Sequence, residues 1–211
     1  HSCASVQEGV VRLGTKRIRV IALGVGASGS MSVSLRGYSL GGGDLMRHAV
    51  ATATIALWLA QALNHGAPEE VYVAGLLHDI GKLLLDQYLL EDRQRIAEKL
   101  SLSRDPLWVI EENLFGMNHA DAGGLIARHW RFPLPLVDAI SSHHNPAGAD
   151  SDKVMAALVN LAIAFTPNES NRSDFLEGRY VHESTLEILD LDPSRLEELR
   201  HDCIAAMKMG T

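Results

Sequence analysis

The chain has few of the residues that indicate a secreted or nucleic-acid-binding protein. Its 211 residues include only two cysteines, Cys3 and Cys203, which lie near opposite ends and outside any CxxC spacing. Neither a disulfide framework nor a zinc ribbon is therefore predicted. Aromatic residues make up only 5% of the chain, and the formal net charge is -7. That charge argues against nucleic acid as the main partner, because phosphate-binding proteins need a basic face.

Long apolar runs are also missing. The longest candidate extends from Ala49 to Leu63, but polar side chains interrupt it, so it predicts a buried core helix rather than a membrane span. With two isolated thiols and no signal peptide, we expect a cytoplasmic protein without a membrane partner. A chain of this length, with 46% hydrophobic residues, can bury its own core as one domain.

The spacing of apolar residues predicts an all-α protein. After residue 30, no run alternates between apolar and polar residues as a half-buried strand would. Asp44 and Pro68 begin the first two long helices, which end near Asn64 and His78. Further helices are predicted over 91–101, 106–115, 119–130, 134–143, 152–165, 183–190 and 193–208. The polar stretch 166–181 predicts a long exposed loop.

The region before Asp44 is harder to interpret. The run from Ile18 to Val25 could be a strand or a helix on its pattern alone. Gly24 to Gly29 then matches GxGxxG, as at the start of a dinucleotide-binding fold. However, Ser30 to Gly43 is a poor helix, and no later strand–helix units exist to build a parallel sheet. We therefore interpret these glycines as a helix end and a flexible loop.

The most informative stretch is 76–82, in which His78 and Asp79 follow an apolar helix. Burying either side chain costs on the order of several kcal/mol unless it is paired or bound to metal. An imidazole and a carboxylate side by side can bind one metal ion, and the carboxylate can bridge two. Gly81 lets the backbone turn, and Lys82 lies where it could hold a phosphate oxygen.

Four more histidines lie near the ends of predicted helices: His48, His119, His143 and His144. Each alone could be structural, as a hydrogen-bonded core residue, a helix start or a solvated helix end. Their number exceeds what core packing needs, so the set predicts a metal site. Its members are His48, His78, Asp79, His119, His143 and His144. The histidines outside the set, His65, His129, His182 and His201, are assigned to surface or packing roles.

In this order, the residues resemble the HD superfamily of metal-dependent phosphohydrolases and, more narrowly, the HDOD domain, a bacterial signalling relative. The resemblance rests on the stretches LMRH at 45–48, AGLLHDIGK at 74–82, FGMNHADAG at 115–123, WRFP at 130–133 and AISSHH at 139–144. It covers residues 1 to about 165 and implies an HD-domain-like helical bundle. It also implies that Ile18 to Val25 is helical.

The resemblance also implies a division of the chain. Residues 1–30 correspond to the last part of the family's N-terminal helical region, and the chain, which does not start with methionine, is expected to be a fragment. Residues 31–43 form a loop rich in glycine and serine. Residues 44–211 form the helical metal-site domain together with the C-terminal helices.

Two metal half-sites are implied by the same resemblance. One consists of His48, His78, Asp79 and a further Asp, and the other joins Asp79 as a bridge to His119, His143 and His144. Ile163 stands where catalytic members carry that further Asp. Asn160, one turn earlier, is expected to replace it weakly through its carbonyl oxygen. In addition, Asn145 to Asp150 lacks the Gly-Tyr-Pro run of the related enzymes that open cyclic di-GMP.

These departures imply a signalling module that keeps a metal site as a structural core or ligand sensor. The alternative is a metal-dependent phosphohydrolase or phosphodiesterase in which Asp79 and Lys82 are catalytic. A further alternative is a scaffold whose histidines are only hydrogen-bonded. A nitrogen-rich, thiol-free site favours one or two Fe, Mn, Ni or Zn ions over Mg. The expected partner is a signalling protein or a phosphorylated small molecule.

Overall fold

Most of the residues that the structure describes are helical. The structure is a computed structural model that describes residues 14, 18, 22, 24–26, 29–92, 96, 105–167 and 180–209. Nine α-helices have both ends within these residues: α1 Asp44–Ala62, α2 Pro68–Leu77, α3 Lys82–Glu91, α4 Leu107–Phe115, α5 His119–His129, α6 Leu134–Ser141, α7 Lys153–Phe165, α8 Glu183–Leu189 and α9 Pro193–Met209. Short 3₁₀ helices span Gly29–Ser32 and Pro146–Gly148.

The all-α class predicted from the sequence is confirmed. In the part of the chain that the structure describes, β pairing is limited to one antiparallel bridge between Leu35 and Leu40. The described positions 18, 22 and 24–26 are helical. Helix α3 was not predicted. The expected helix over 91–101 and the expected loop over 166–181 lie largely outside the described residues, as does most of 1–30.

The core is built around α7, whose residues from Met155 to Phe165 are all buried. Helix α7 packs on α1, α2, α6 and α8, and α1 packs along α2. Gly75 permits the α1–α2 approach, since a Cβ there would lie 3.0 Å from the Cα of Ala53. Small residues at this crossing therefore let α2 carry its C-terminal end into the centre of the bundle.

The glycine-rich segment before α1 is packed against the bundle. Its apolar side chains are buried, namely those of Met31, Leu35, Tyr38 and Leu40. The backbone N–H of Gly37 donates to Asp86 Oδ1 on α3 at 2.8 Å, and a Cβ at this glycine would overlap the Asp86 carbonyl. Earlier, Gly24 lies in helical backbone, where an added Cβ would meet the Val73 side chain at 2.9 Å. Segment 31–43 is thus a fixed connection that places Tyr38 inside the protein.

Among the residues that the structure describes, no helix is both long enough and apolar enough to cross a membrane.

Candidate metal centre

The predicted site residues converge from five helices. His48 lies one turn inside α1, His78 and Asp79 follow α2, Lys82 begins α3, His119 begins α5, and His143 and His144 follow α6. The ligand atoms of His48, His78 and Asp79 lie within 4.8 Å of one another, and so do those of His119, His143 and His144. The two groups hold the candidate ligands of the two implied half-sites, except that the further Asp is missing from the first and Asp79 falls in the first group alone. We refer to the six residues together as the His/Asp cluster.

Burial of the cluster is nearly complete. His78, Asp79, His119 and His143 are 0% exposed, and only His48 and His144 reach the surface, at 9% and 8%. Charged groups in such a place need compensating charges, because water cannot stabilise them. The contacts of Asp79 provide this compensation.

Asp79 lies between the two groups. Its Oδ2 is 2.8 Å from Lys82 Nζ and 3.4 Å from His78 Nε2, and its Oδ1 is 3.4 Å from His119 Nε2. Burial alone would raise the pKa of Asp79, but the nearby His78 and Lys82 outweigh it and hold that pKa well below its ordinary value. Asp79 is therefore a carboxylate that can bridge both groups.

Lys82 is placed differently from the sequence expectation. It lies beside the site as predicted, but it is 0% exposed and its ammonium is paired with Asp79 at 2.8 Å. The same ammonium lies 5.8 Å from the centre of the Tyr38 ring, a cation–π distance. In this arrangement Lys82 neutralises Asp79, and contact with a phosphate would require the side chain to move.

Local hydrogen bonds fix the orientation of two imidazoles. Nδ1 of His78 donates to the carbonyl oxygen of Gly75 at 2.7 Å, and Nδ1 of His143 donates to that of Ile140 at 2.7 Å. Because a carbonyl can only accept, Nδ1 carries a hydrogen, and in the neutral imidazole the Nε2 lone pair is left for the site. This is the arrangement of metal-binding histidines in proteins.

A buried carboxylate orients a third imidazole. Nδ1 of His119 donates to Glu111 Oε2 at 2.6 Å, and the backbone N–H of His119 donates to the same oxygen at 2.8 Å. The Tyr38 hydroxyl donates to the other oxygen, Oε1, at 2.8 Å. Glu111 and Tyr38 are both 0% exposed. Neither was predicted to belong to the site, although a glutamate on the apolar helix α4 could have signalled a buried partner.

His144 completes the second group. Its Nε2 lies 3.0 Å from Nε2 of His119, and the Trp108 ring stacks on it with centroids 5.2 Å apart and planes 13° apart. Two lone pairs at this distance repel, so the pair needs a hydrogen or a metal ion between the two nitrogens. Trp108 fixes the plane of the His144 ring.

Helix α5 brings His119 to the cluster. The Asn118 side chain caps this helix by accepting from the backbone N–H groups of Ala120 and Asp121 at 2.9 and 3.1 Å. In turn, Asp121 Oδ2 accepts from the backbone N–H of Asn118 at 3.1 Å. A Cβ at Gly81 would overlap the carbonyl of His119. Glycine at this position therefore allows the turn after Asp79 to lie directly against the start of α5.

Helix α7 supplies no anionic ligand. It contains neither Asp nor Glu, and Ile163 is buried in the hydrophobic core at 4% exposure. The expectation that Asn160 replaces the missing carboxylate is wrong. Its Oδ1 accepts from the Thr185 hydroxyl at 2.7 Å and from the backbone N–H of His182 at 3.0 Å. The oxygen of Asn160 is therefore bonded to the C-terminal region, and among the described residues Asp79 is the single carboxylate of the first group.

The fold and the site together define the general class of the protein: it is an all-α domain with two adjoining, buried groups of histidines. A model of the HDOD domain family matches residues 1–146, well over half of the chain. The chain belongs to the HDOD domain family, which confirms the resemblance drawn from the sequence.

Relatives in sequence are considerably longer than the chain. An uncharacterized protein of Treponema pallidum is 27% identical over 173 residues, which cover 80% of this chain and 33% of that protein. Ribonuclease Y of Mycoplasmoides gallisepticum is 33% identical over 103 residues, or 48% of this chain and 14% of the enzyme. The chain thus corresponds to a minor part of either protein.

Solved structures share the fold. A candidate phosphohydrolase from Shewanella amazonensis has a TM-score of 0.67 at 23% identity, over 96% of this chain and 72% of its own. A candidate signal transduction protein from Marinobacter aquaeolei has a TM-score of 0.67 at 24% identity, over 97% and 46%. An HDOD domain protein of unknown function from Geobacter sulfurreducens has a TM-score of 0.59 at 20% identity, over 96% and 75%. At these identities the likeness concerns the fold.

Proposed function

We propose that the chain is a signal-transduction module in which the His/Asp cluster holds a divalent transition-metal ion as a structural core or ligand sensor. One observation carries this proposal: α7 presents Ile163 and no carboxylate. Among the residues that the structure describes, the first group therefore has one anionic ligand, Asp79, which already pairs with Lys82. Two divalent ions held close together repel each other, so a two-metal hydrolytic centre is stabilised by further anionic ligands.

The donor atoms fit a metal ion. Nε2 of His78 and Oδ1 of Asp79 are buried without a hydrogen-bond partner among the described residues, which is costly unless a ligand satisfies them. Asp79, His119, His143 and His144 would hold one ion. His48 and His78 would share Asp79 with a second ion, which is expected to bind more weakly. Imidazole nitrogens with one carboxylate favour Fe, Mn, Ni or Zn.

Burial of the cluster supports a structural role for the ion. Four of the six cluster residues have no exposed surface, whereas a hydrolytic centre must admit a phosphoester and water. The proposed partner is a signalling protein, or a phosphorylated small molecule that alters the cluster. A cytoplasmic location remains part of this proposal.

A metal-dependent phosphohydrolase or phosphodiesterase is the second candidate. It is favoured by the 33% identity to a protein named as a ribonuclease. The ion would supply Lewis-acid chemistry for hydrolysis of a phosphoester. Asp79 would be a ligand on which activity depends, and Lys82 would leave Asp79 to hold a phosphate oxygen.

Metal content and turnover can be measured together to separate the two candidates. Protein purified anaerobically and reconstituted with Fe²⁺ or Mn²⁺ is expected to hold one tightly bound ion per chain by elemental analysis. It is expected to show no turnover of phosphomonoester or phosphodiester substrates. Two tight ions, with turnover that Asp79→Ala abolishes, would establish the enzyme instead. Protein without any bound metal after reconstitution would exclude both candidates.

A further inference from the structure

Asn160 connects the cluster to the C-terminal helices. Its Nδ2 donates to the carbonyl oxygen of His143 at 2.8 Å, while its Oδ1 accepts from both His182 N–H and the Thr185 hydroxyl. The backbone groups allow only this orientation of the amide, since the His182 N–H must donate and the His143 carbonyl must accept. Asn160 and Thr185 are 3% and 0% exposed. The amide thus uses both ends to join two separate parts of the chain.

The contact at His143 lies in the turn that carries two candidate metal ligands. Helix α6 ends at Ser141, and the carbonyl of His143 belongs to the turn that holds both His143 and His144 in the cluster. Carbonyls beyond a helix end need partners from elsewhere in the protein. Asn160 provides this partner, so it fixes the backbone from which the two imidazoles project.

The contact at Thr185 lies in a different element. Thr185 is on α8, and His182 caps that helix by accepting from Ser184 N–H at 3.2 Å. Helix α8 also packs on α7 and on the 3₁₀ helix Pro146–Gly148, which follows His144 closely. His182, Thr185 and all of α8 lie beyond the segment 1–146 that the family model matches.

We propose that Asn160 is a positioning residue that couples metal binding at His143 and His144 to the docking of α8. Helices α8 and α9 would then report the state of the cluster to the rest of a signalling protein. This inference rests on the proposed function, because it concerns the same site. Coupling of this kind is reciprocal: if docked α8 strengthens metal binding, bound metal stabilises docked α8 by the same factor.

Thr185 variants test the coupling without altering a metal ligand. Thr185→Val keeps the shape of the side chain and removes its hydrogen bond to Asn160, whereas Thr185→Ser keeps the hydroxyl. With Co²⁺ as the probe, we expect Thr185→Val to weaken binding about 3- to 10-fold, the factor of one buried hydrogen bond. Thr185→Ser should restore wild-type affinity. Equal Co²⁺ affinity in all three proteins would overturn the proposal.

Amide hydrogen exchange gives a second test of the coupling, and it uses the wild-type chain alone. Co²⁺ is expected to slow amide exchange in Glu183–Leu189 by a similar factor, because the two effects are reciprocal. Exchange of α8 that does not respond to bound Co²⁺ would contradict the coupling.

Failure of the proposed function can be distinguished from failure of this inference. A wild-type chain that binds no Co²⁺ would contradict the metal site. In that metal-free protein, the coupling predicts that Thr185→Val shifts the ring NMR signals of His143 and His144 more than those of His48, and that Thr185→Ser does not. Equal or absent shifts would reject the coupling too.

Discussion

At the scale of single residues, the groups that accept hydrogen bonds from the imidazole Nδ1 atoms are expected to set the affinity of the cluster for a metal ion. His78 and His143 are held by carbonyls in their own helical turns, so their orientation follows from local sequence. His119 is held by Glu111, which is itself held by Tyr38. A carboxylate behind an imidazole raises its basicity and its affinity for a metal ion. Glu111 is therefore expected to control affinity although it is not a ligand.

Substitution of Glu111 tests this role. Glu111→Gln retains the size of the side chain and removes its charge, so we expect Co²⁺ or Zn²⁺ affinity to fall about 10- to 100-fold. Competition titration against a chelator measures the change. Tyr38→Phe, which leaves the carboxylate in place, should have a smaller effect. Unchanged affinity in Glu111→Gln would show that the Glu111–His119 contact is only structural.

At the scale of elements, caps and close contacts set where each helix begins and which face it buries. Helix α7 begins after Asp152, whose Oδ1 accepts from Met155 N–H at 2.9 Å. His65 follows α1 in the chain, and its Nε2 lies 3.7 Å from Asp152 Oδ2. The nearby imidazole of His65, opposed by partial burial and aided by the N–H of Met155, lowers the pKa of Asp152. One side chain thus stabilises the start of α7 and its connection to α1.

The stability of the fold should reflect this cap. Asp152→Ala is expected to lower the free energy of unfolding by about 1 kcal/mol near pH 6, the usual effect of losing an N-cap. Asp152→Asn keeps the cap and should lose less. Because the pKa is lowered in the folded state, the carboxylate contributes stability above its unfolded pKa, and this contribution is lost as pH falls.

Urea unfolding at several pH values measures the effect. The difference between wild type and Asp152→Asn should be fully present at pH 6 and should shrink below about pH 4, where the carboxyl becomes protonated. A difference that grows on acidification would contradict the role given to His65.

At the scale of the whole molecule, the cluster joins helices that are distant in the chain. Helices α1, α2, α5 and α6 each bring a histidine to one buried point, and α7 packs on three of them. A ligand that binds only this assembled arrangement stabilises the whole fold by mass action. The effect should be global because none of these helices can leave without disrupting the cluster.

Thermal unfolding tests this consequence. Free Co²⁺ or Zn²⁺ at about 100 times its Kd should stabilise the fold by about 2.7 kcal/mol, which raises Tm by several degrees. His143→Gln, which removes one ligand just after the end of α6, should reduce the shift. His129→Gln, outside the cluster, is the matched control and should retain it. An equal rise in all three proteins would place the metal elsewhere.

The sequence by itself determined the all-α class, most helix positions and the set of candidate ligands. Helical periodicity is local, and helix starts are marked by nearby residues. Pro68 marks one through its fixed backbone angle, and Asn118 marks another through the hydrogen bonds of its side chain. The ligand set could be predicted because core packing rarely places several histidines and an aspartate at the ends of apolar helices. Helix α3 was missed because Gly81 suggests a turn, and the leucines that follow point to no single face: Leu84 is 47% exposed but Leu85 only 3%.

Only the tertiary structure decided the contacts between distant residues. Glu111 and Tyr38 are 73 residues apart, and Asn160 meets Thr185 on a separate helix. Sequence spacing shows which residues share a helical face, but not which partner from another element meets that face. For this reason the candidate ligands could be predicted from the sequence. The hydrogen bonds around them, and the partners of Asn160, depend on how the helices pack.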